Sequence, residues 1–289
     1  LSQFLKPMKL FKLKSYCKIN LSLRIIKKLK NNFHKIQSFI IFCKIHDEIL
    51  IKENNMKKDL IKFNGEFKNN ISKSNNTILN SLNLLRNNNY LKEIFFDIKI
   101  KKNIPGNAGF GGGSMNSSTL LSFLNQKYKL KIINKKMINF AAEIGSDVPL
   151  GLKYQNKFYD SENNTIKRIN NKINLFLLIV KPNCNCSTKL IYSKNKKYSV
   201  KYKNIKINGN IDHFKKDTND LEIAAFKLYP KIKELKSWMN IQKKCQFSRM
   251  TGSGSACVAY FKDLKSARKA KILIKKKFPK YWCKLSKAM

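Results

Sequence analysis

Five glycines within eight residues constrain the fold of this chain more than any other feature of its sequence. Residues 104–118 are IPGNAGFGGGSMNSS, and the five glycines fall between positions 106 and 113. The preceding segment, EIFFDIKIKK at 93–102, is rich in the β-branched and aromatic residues typical of a strand, and leucines resume at Leu120. The sequence therefore predicts a strand, a glycine-rich loop and a helix that begins near Ser114.

A glycine loop between a strand and a helix suits an anionic ligand. Bare backbone N–H groups can approach phosphate oxygens, and the start of a helix carries partial positive charge. Two common phosphate-binding patterns do not fit, because the loop has no G-K-[ST] sequence and Gly109-x-Gly111-x-x-Ser114 lacks the third glycine of the dinucleotide fingerprint. A flexible or tight-turning loop without a ligand stays open as the alternative.

The charge of the chain suggests a different class of protein. There are 60 Lys and Arg residues against 17 Asp and Glu, a formal net charge of +43, as in many nucleic-acid-binding proteins. The lysines are spread among asparagines and isoleucines, which share A/T-rich codons, and no helix-turn-helix, zinc or aromatic RNA-platform signature accompanies them. We therefore attribute the charge to base composition and expect no specific nucleic-acid partner. A basic nucleic-acid-binding protein without catalysis is the alternative from another class.

Cysteine usage and hydropathy bear on the compartment. The 7 cysteines are an odd number without a C-x-x-C pair, which favours a reducing compartment such as the cytoplasm and predicts no structural metal site. The longest apolar run, INLFLLIV at 173–180, is too short to span a membrane and predicts a buried strand. We expect no association with a membrane. The first residues lack a signal-peptide core, and Met8 is the candidate initiator.

The remaining pattern predicts alternating strands and helices. A polar stretch at 193–216, rich in Lys, Asn and Tyr, predicts a mobile loop. We expect an N-terminal nucleotide-binding and catalytic domain over 9–160 and a C-terminal domain over 161–289. The other predicted elements are one or two strands at 9–26, two strands at 36–53, helices near 75–87, 134–145, 219–241 and 265–277, and a left-handed cap at Gly145.

Seven motifs, taken together, resemble those of a known superfamily. In chain order they are YCKINLSL, NNFHKIQS, PGNAGFGGGS, EIGSDVPLGL, CSTKLIY, TNDLE and RMTGSGSACVAYF, and they span nearly the whole chain. The set resembles the galactokinase, homoserine kinase, mevalonate kinase and phosphomevalonate kinase superfamily. It is similar to one branch in particular, whose members use ATP to phosphorylate the 2-hydroxyl of 4-diphosphocytidyl-2-C-methyl-D-erythritol in the non-mevalonate isoprenoid pathway.

This resemblance implies a fold and an activity. The fold would be two-domain α+β, with an N-terminal domain of the ribosomal-protein-S5-domain-2 type and its left-handed crossover. The C-terminal domain would be α/β, and the active site would lie between the two. The implied substrate is a cytidine diphosphate-linked methylerythritol. Another small-alcohol kinase of the same superfamily is the alternative within enzymes. We expect a monomer or a homodimer.

Two charged residues are candidates for the chemistry. Lys18 interrupts an apolar strand, where a lysine is costly unless it is paired or reaches a cleft or water. Asp147 precedes Pro149 in a segment where aspartate also commonly serves as a turn residue. The residues alone leave both structural roles open. The resemblance implies that Lys18 and Asp147 are the catalytic pair, which would orient the alcohol and offset charge on the transferred phosphoryl group.

The resemblance also implies which residues bind the two substrates. Ser114 is a candidate to assist a Mg²⁺ ion that arrives with ATP. Phe33 stands where the family has a tyrosine, so it keeps a stacking face but lacks the hydroxyl. The residues matched to the cytidine diphosphate end are Asn20, Phe33, His34 and Tyr192. The residues matched to the nucleotide phosphates are Pro105, Gly106, Asn107, Ala108, Gly109, Phe110, Gly111, Gly112, Gly113, Ser114 and Met115.

Overall fold

The computed structural model describes residues 9–31, 33–69, 71–72, 75–163, 165–169, 173–202 and 211–289. Met8 and residues 203–210 of the predicted loop lie outside the described residues. The strands are β1 Phe11–Asn20, β2 Arg24–Lys28, β3 His34–Asn54, β4 Leu60–Asn64, β5 Phe95–Lys101, β6 Lys157–Asp160, β7 Thr165–Arg168, β8 Phe176–Lys181, β9 Cys245–Met250, β10 Cys257–Phe261 and β11 Trp282–Lys287. The helices are α1 Thr77–Asn87, α2 Gly112–Lys127, α3 Asn134–Ile144, α4 Val148–Gly151, α5 Thr188–Lys194, α6 Ile211–Lys216, α7 Glu222–Leu228, α8 Pro230–Asn240 and α9 Leu264–Lys277.

The chain divides into two compact units, each assembled from separate segments. The first unit contains the described residues up to Cys17 together with Ile45–Pro105 and Gly111–Tyr154. The second contains Lys18–Lys44, Gly106–Phe110 and Gln155–Met289. The strand β3 therefore contributes its first half to the second unit and its second half to the first. The predicted domain division at 160 stays a prediction.

In the first unit, β5 lies between two strands and is covered by helices. It pairs antiparallel with the second half of β3 and parallel with β4. The helices α1 and α2 turn their apolar sides towards this sheet, because leucines recur on one face of each helix. The buried core contains Leu82 and Leu85 from α1, Leu120 and Leu124 from α2, and Ile98 and Ile100 from β5.

In the second unit, a four-stranded antiparallel sheet has the order β11-β8-β10-β9. The two central strands, β8 and β10, are nearly continuous apolar runs, and all five residues of β10 are buried. The first half of β3 pairs with β2 and β6 in the same unit. The core beneath the sheet is completed by Ile232, Leu235 and Met239 of α8 and by Ala267, Ala270 and Ile274 of α9. Both units combine antiparallel strands with helices, so the predicted α+β class is confirmed.

Four local predictions are wrong, each for an identifiable reason. The two strands predicted at 36–53 are the single strand β3, because Asp47 is a buried strand residue rather than a turn residue. Gly145 ends α3 with φ 172°, which is extended backbone, so the left-handed cap does not form. The helix predicted at 219–241 is two helices, since Pro230 starts α8 and cannot continue α7. Residues 211–216 of the predicted loop form the helix α6.

The other elements that the sequence predicted agree with the structure to within a few residues. The helix after the glycine loop starts at Gly112 rather than Ser114. Over the described part of the chain, no helix is both long enough and apolar enough to cross a bilayer. None of the seven cysteines, all of them described, forms a disulfide.

Candidate active site

Lys18 and Asn20 are direct partners in the second unit. They lie two residues apart on β1, and strand geometry therefore places both side chains on the same face. The Lys18 Nζ donates to Asn20 Oδ1 at 3.0 Å, and Asn20 Nδ2 donates to Ser38 Oγ at 2.8 Å. Both residues are 3% exposed. A buried lysine is thus held by a neutral amide oxygen, which orients the ammonium group without cancelling its charge.

The loop 251–256 supports this cluster from the C-terminal part of the chain. The backbone N–H of Asn20 donates to Thr251 Oγ1 at 2.9 Å. The first glycine loop lies against the same segment, because the N–H of Ala256 donates to the carbonyl of Ala108 at 3.3 Å. A Cβ on Gly109, whose φ is +80°, would lie 1.9 Å from the Thr251 carbonyl oxygen. Glycine at 109 is therefore required by packing within the second unit.

A buried asparagine holds the loop 251–256 in place. The Asn219 Nδ2 donates to the carbonyl oxygens of Met250 and Gly252, each at 2.8 Å. Its Oδ1 accepts from the N–H of Leu221 at 3.1 Å, so both ends of the amide are bonded. The TNDLE motif therefore acts structurally here, as a clamp on the second glycine loop.

Aromatic residues form a separate group in the second unit. The rings of His34 and Tyr192 have centroids 5.1 Å apart and are inclined at 47°. Burial, reinforced by the Lys28 ammonium, lowers the pKa of His34 below its usual value. A neutral imidazole with one donor and one acceptor is therefore favoured near neutral pH. Phe33 is 69% exposed, which leaves its ring face open for stacking.

The start of α2 in the first unit has the features of an anion site. Gly111 caps the helix with φ 64°, and the first N–H groups of any helix have no partner within the helix. A Cβ on Gly112 would come no closer than 3.5 Å to a neighbouring heavy atom, and the same distance holds for Gly113. A Cβ on Gly106 would meet nothing within 4 Å. Contacts within the protein thus do not require glycine at any of these three positions, of which Gly106 belongs to the second unit.

Sequence analysis missed a lysine beside this helix start. The Lys102 Nζ lies 3.7 Å from the position that a Cβ on Gly112 would take. It donates to the carboxylate of Asp47, which also accepts from the N–H groups of Asn103 at 2.7 Å and Ile104 at 2.9 Å. Its place three residues before Pro105 is the only hint that the sequence offers. No local pattern marks Asp47.

Asp147 lies at the start of the short helix α4 in the first unit. Its φ and ψ are −88° and −13°, and its side chain makes no capping hydrogen bond to α4. The residue is half-buried. The Ser118 Oγ donates to the carbonyl of Val148 at 2.6 Å and so ties α4 to α2. Asp147 thus lies in the turn between α3 and α4 without capping α4, and its catalytic role stays a prediction.

Two residues predicted to bind phosphate have side chains in the core. Phe110 is 1% exposed and its ring lies 6.0 Å from that of Trp282. Met115 is fully buried, and its sulfur lies 2.9 Å from the position that a Cβ on Gly151 would take. Any contact of these two residues with a nucleotide would involve the backbone. Among the described residues, no cluster of three or more His, Cys, Asp and Glu side chains is arranged to hold a metal ion.

Two family models match the chain in sequence order. The model for the GHMP kinases N terminal domain matches residues 76–153, and the model for the GHMP kinases C terminal domain matches residues 202–280. A 4-diphosphocytidyl-2-C-methyl-D-erythritol kinase of Pelagibacter ubique is 43% identical over 96% of this chain and 99% of the relative. A protein of the same name from Thermodesulfovibrio yellowstonii is 28% identical over 94% of this chain and 95% of the relative.

Solved structures show the same fold. The crystal structure of a 4-(cytidine 5'-diphospho)-2C-methyl-D-erythritol kinase matches with a TM-score of 0.77 at 19% identity, covering 96% of this chain and 99% of that one. A homoserine kinase from Cytophaga hutchinsonii matches with a TM-score of 0.73 at 16% identity, covering 100% of this chain and 97% of that one. The predicted small-molecule kinase fold is thereby confirmed.

Proposed function

We propose a specific reaction for this chain from the premise that it belongs to the 4-diphosphocytidyl-2-C-methyl-D-erythritol kinase family of the GHMP kinases. The reaction is ATP-dependent phosphorylation of the 2-hydroxyl of 4-diphosphocytidyl-2-C-methyl-D-erythritol. The observation that carries the proposal is the 43% identity to a relative of that name, which extends over 96% of this chain. The buried Lys18–Asn20 pair and the open glycines at the start of α2 support it.

Asp147 and Lys18 carry the chemistry in this proposal. The substrate oxygen forms a bond to the γ-phosphorus as the bond to the bridging oxygen of ATP breaks, and ADP leaves. The hydroxyl proton goes to the Asp147 carboxylate, which also orients the alcohol before transfer. The Lys18 ammonium offsets negative charge on the group being transferred. Its three donors can serve Asn20 and a second oxygen at the same time.

The nucleotide phosphates are proposed to bind at the start of α2. Backbone N–H groups around Gly112 and Gly113 can approach the oxygens because neither residue has a side chain of its own in the way. The Lys102 ammonium beside Gly112 adds positive charge at the same place. Its bond to Asp47 holds it there, so it is positioned before the nucleotide arrives.

Mg²⁺ is proposed to enter with ATP. The Ser114 hydroxyl in the first turn of α2 suits it, because it is an oxygen donor of the type that Mg²⁺ prefers. When bound, the ion would neutralise charge on the phosphates.

The cytidine end of the substrate is proposed to bind at the aromatic residues of the second unit. The exposed ring of Phe33 offers a face to the pyrimidine, and the neutral imidazole of His34 offers a donor and an acceptor. The Tyr192 ring packs on His34 and limits its movement. Asn20 is also proposed to contact the substrate, since its amide keeps one N–H and one oxygen lone pair besides its bonds to Lys18 and Ser38. We also propose a cytoplasmic location, supported by seven cysteines without a disulfide.

The decisive experiment compares substrates and then removes the proton acceptor. Wild-type protein is assayed for ADP production with ATP and the cytidylylated substrate, and with homoserine and mevalonate as control alcohols. We expect turnover only with the cytidylylated substrate. Turnover with a control alcohol instead would assign the chain to another small-alcohol kinase activity.

Replacement of Asp147 by Asn tests the mechanism. It keeps the shape of the side chain, so KM for both substrates should change little while kcat falls by about 10²-fold or more, the scale of a lost general base. Lys18→Met should cause a comparable loss, and the double variant should be far less than multiplicatively worse. Steady-state kinetics and thermal unfolding are measured on all three variants. Near-normal kcat in Asp147→Asn would return this residue to a structural role.

A further inference from the structure

A line of three hydrogen bonds connects Lys18 to the backbone of the second unit. The Lys18 Nζ donates to Asn20 Oδ1 at 3.0 Å, and Asn20 Nδ2 donates to Ser38 Oγ at 2.8 Å. The Ser38 Oγ donates in turn to the carbonyl oxygen of Ser22 at 2.5 Å. Asn20 is 3% exposed and Ser38 is 1% exposed, so solvent offers little alternative to these partners. The position of the Lys18 ammonium group therefore depends on Ser38, which is two hydrogen bonds away.

The carbonyl oxygen of Ser22, at the end of this series, decides which group donates in the hydrogen bonds before it. A carbonyl oxygen only accepts hydrogen bonds, so the single hydroxyl proton of Ser38 is directed towards Ser22. The Ser38 oxygen is then left as an acceptor, and the amide of Asn20 must present its NH₂ group to it. The oxygen of the same amide consequently faces Lys18, which has donors only.

Two contacts set this orientation, one with Ser38 and one with Lys18. The oxygen and the NH₂ group of an amide have nearly the same size, so packing alone does not distinguish the two orientations. The contact with Thr251, at 2.9 Å, is made by the backbone N–H of Asn20 and does not involve the amide. An amide turned the other way would point donors at an ammonium group. Hydrogen-bond polarity therefore decides the orientation of the amide, and the acceptor that Ser38 presents to the NH₂ group fixes it together with Lys18.

We propose that Ser38 is a positioning residue for phosphoryl transfer, because its hydroxyl orients the Asn20 amide and thereby holds the ammonium group of Lys18. This inference rests on the proposed function, in which Lys18 acts on the transferred group. Ser38 ends the NNFHKIQS motif, and it shares a face of β3 with His34 because the two positions are four residues apart. One face of β3 thus carries His34, proposed to bind substrate, and Ser38, proposed to position Lys18.

Ser38→Ala is the direct test. Loss of the hydroxyl should lower kcat by about 10-fold to 100-fold, since a displacement of about 1 Å in a catalytic group has effects of that size. The KM values for both substrates should stay within about 3-fold, because Ser38 acts on the reacting group rather than on substrate affinity. The measurements are steady-state kinetics and thermal unfolding.

Ser248 provides a matched control. It is a strand serine that is 4% exposed, and its Oγ donates to the carbonyl oxygen of Lys236 at 3.0 Å. Ser248→Ala should lower the unfolding midpoint about as much as Ser38→Ala while kcat stays within about 2-fold. Ser38→Thr, which keeps the hydroxyl, should retain kcat within about 5-fold.

A double variant separates positioning from stability. In an Asn20→Ala background, Ser38→Ala should change kcat by less than about 2-fold, because the group through which Ser38 acts is gone. A serine that only stabilises the fold would lower kcat or stability equally in both backgrounds. Should Ser38→Ala fail to fold, Ser38→Cys keeps most of the volume but accepts weakly, and a loss of kcat of about 5-fold or more is expected.

Two results would overturn the inference. One is a folded Ser38→Ala protein with kcat within about 2-fold of wild type, and the other is full additivity of the Asn20 and Ser38 substitutions. Failure of the proposed function would look different, since wild-type protein would then phosphorylate another alcohol and not the cytidylylated substrate. The same variants assayed with that alcohol would still decide the role of Ser38.

Discussion

The two glycine-rich segments of this chain use glycine for opposite reasons. In the loop 251–256, Gly252 and Gly254 have φ values of +54° and +82°, and a Cβ on either would come within 3 Å of a protein atom. Around the start of α2, a Cβ on Gly112 or Gly113 would make only ordinary contacts. The first set is required by the fold, and the second is consistent with a ligand.

Gly109 shows that the division does not follow the motif boundaries. It belongs to the first glycine stretch in sequence, but a Cβ there would lie 1.9 Å from Thr251, closer than a Cβ on Gly252 or Gly254 would lie to any protein atom. The backbone of residues 107–109 thus packs on the loop 251–256, whereas a Cβ on Gly106, Gly112 or Gly113 would meet no close contact. A glycine-rich motif is thus a mixture of structural and functional positions, which substitution can separate.

Gly109→Ala should have the largest effect on stability. The new Cβ would lie 1.9 Å from the Thr251 carbonyl oxygen, and φ of +80° is unfavourable for any other residue. Left-handed strain and overpacking together should lower the free energy of unfolding by about 3 kcal/mol or more. Chemical denaturation measures this loss. Gly145→Ala is the control, because its nearest neighbour, Val148, would be 3.5 Å away and its backbone is extended. Equal stability of the two variants would contradict the close packing at Gly109.

Gly112→Val should leave the fold nearly intact and weaken ATP binding. Its Cβ would fit beside Ile104 at 3.5 Å, but the further methyl groups would occupy space next to the Lys102 ammonium. We expect KM for ATP to rise by about 10-fold, while the free energy of unfolding changes by less than about 1 kcal/mol. Gly112→Ala is the graded control, with a smaller rise in KM. An unchanged ATP affinity in the folded valine variant would remove the start of α2 from the nucleotide site.

Gly106→Ala should have the smallest effect. No heavy atom would lie within 4 Å of the new Cβ, and φ at this position is outside the left-handed range. Restricting the unfolded chain should leave stability unchanged or raise it by up to about 1 kcal/mol. KM for ATP should change by less than about 3-fold. Steady-state kinetics and thermal unfolding test these two expectations. A rise in KM for ATP as large as that of Gly112→Val would show that Gly106 also contacts the phosphates.

Much of the site was predictable because its residues carry local patterns. Its place in an apolar strand made Lys18 a candidate for the chemistry. The order of strand, glycine loop and helix made the start of α2 a candidate anion site. The long strand β3 was harder, because the polar triplet HDE at 46–48 is typical of a turn. Asp47 is buried there only because Lys102 and two backbone N–H groups, all distant in sequence, satisfy its carboxylate.

The sequence by itself predicted most of the elements, since these depend on periodicity and on residue types close together in the chain. Its motifs predicted the α+β class and the candidate residues for the chemistry through their resemblance to a known superfamily. The tertiary structure alone decided which glycines are covered by protein, which amide orients Lys18, and which buried lysine faces the start of α2. Each of those features depends on a contact between distant segments, as between Gly109 and Thr251 or Asn20 and Ser38. Local pattern does not encode such contacts, because packing and hydrogen-bond polarity are settled only when the partners meet.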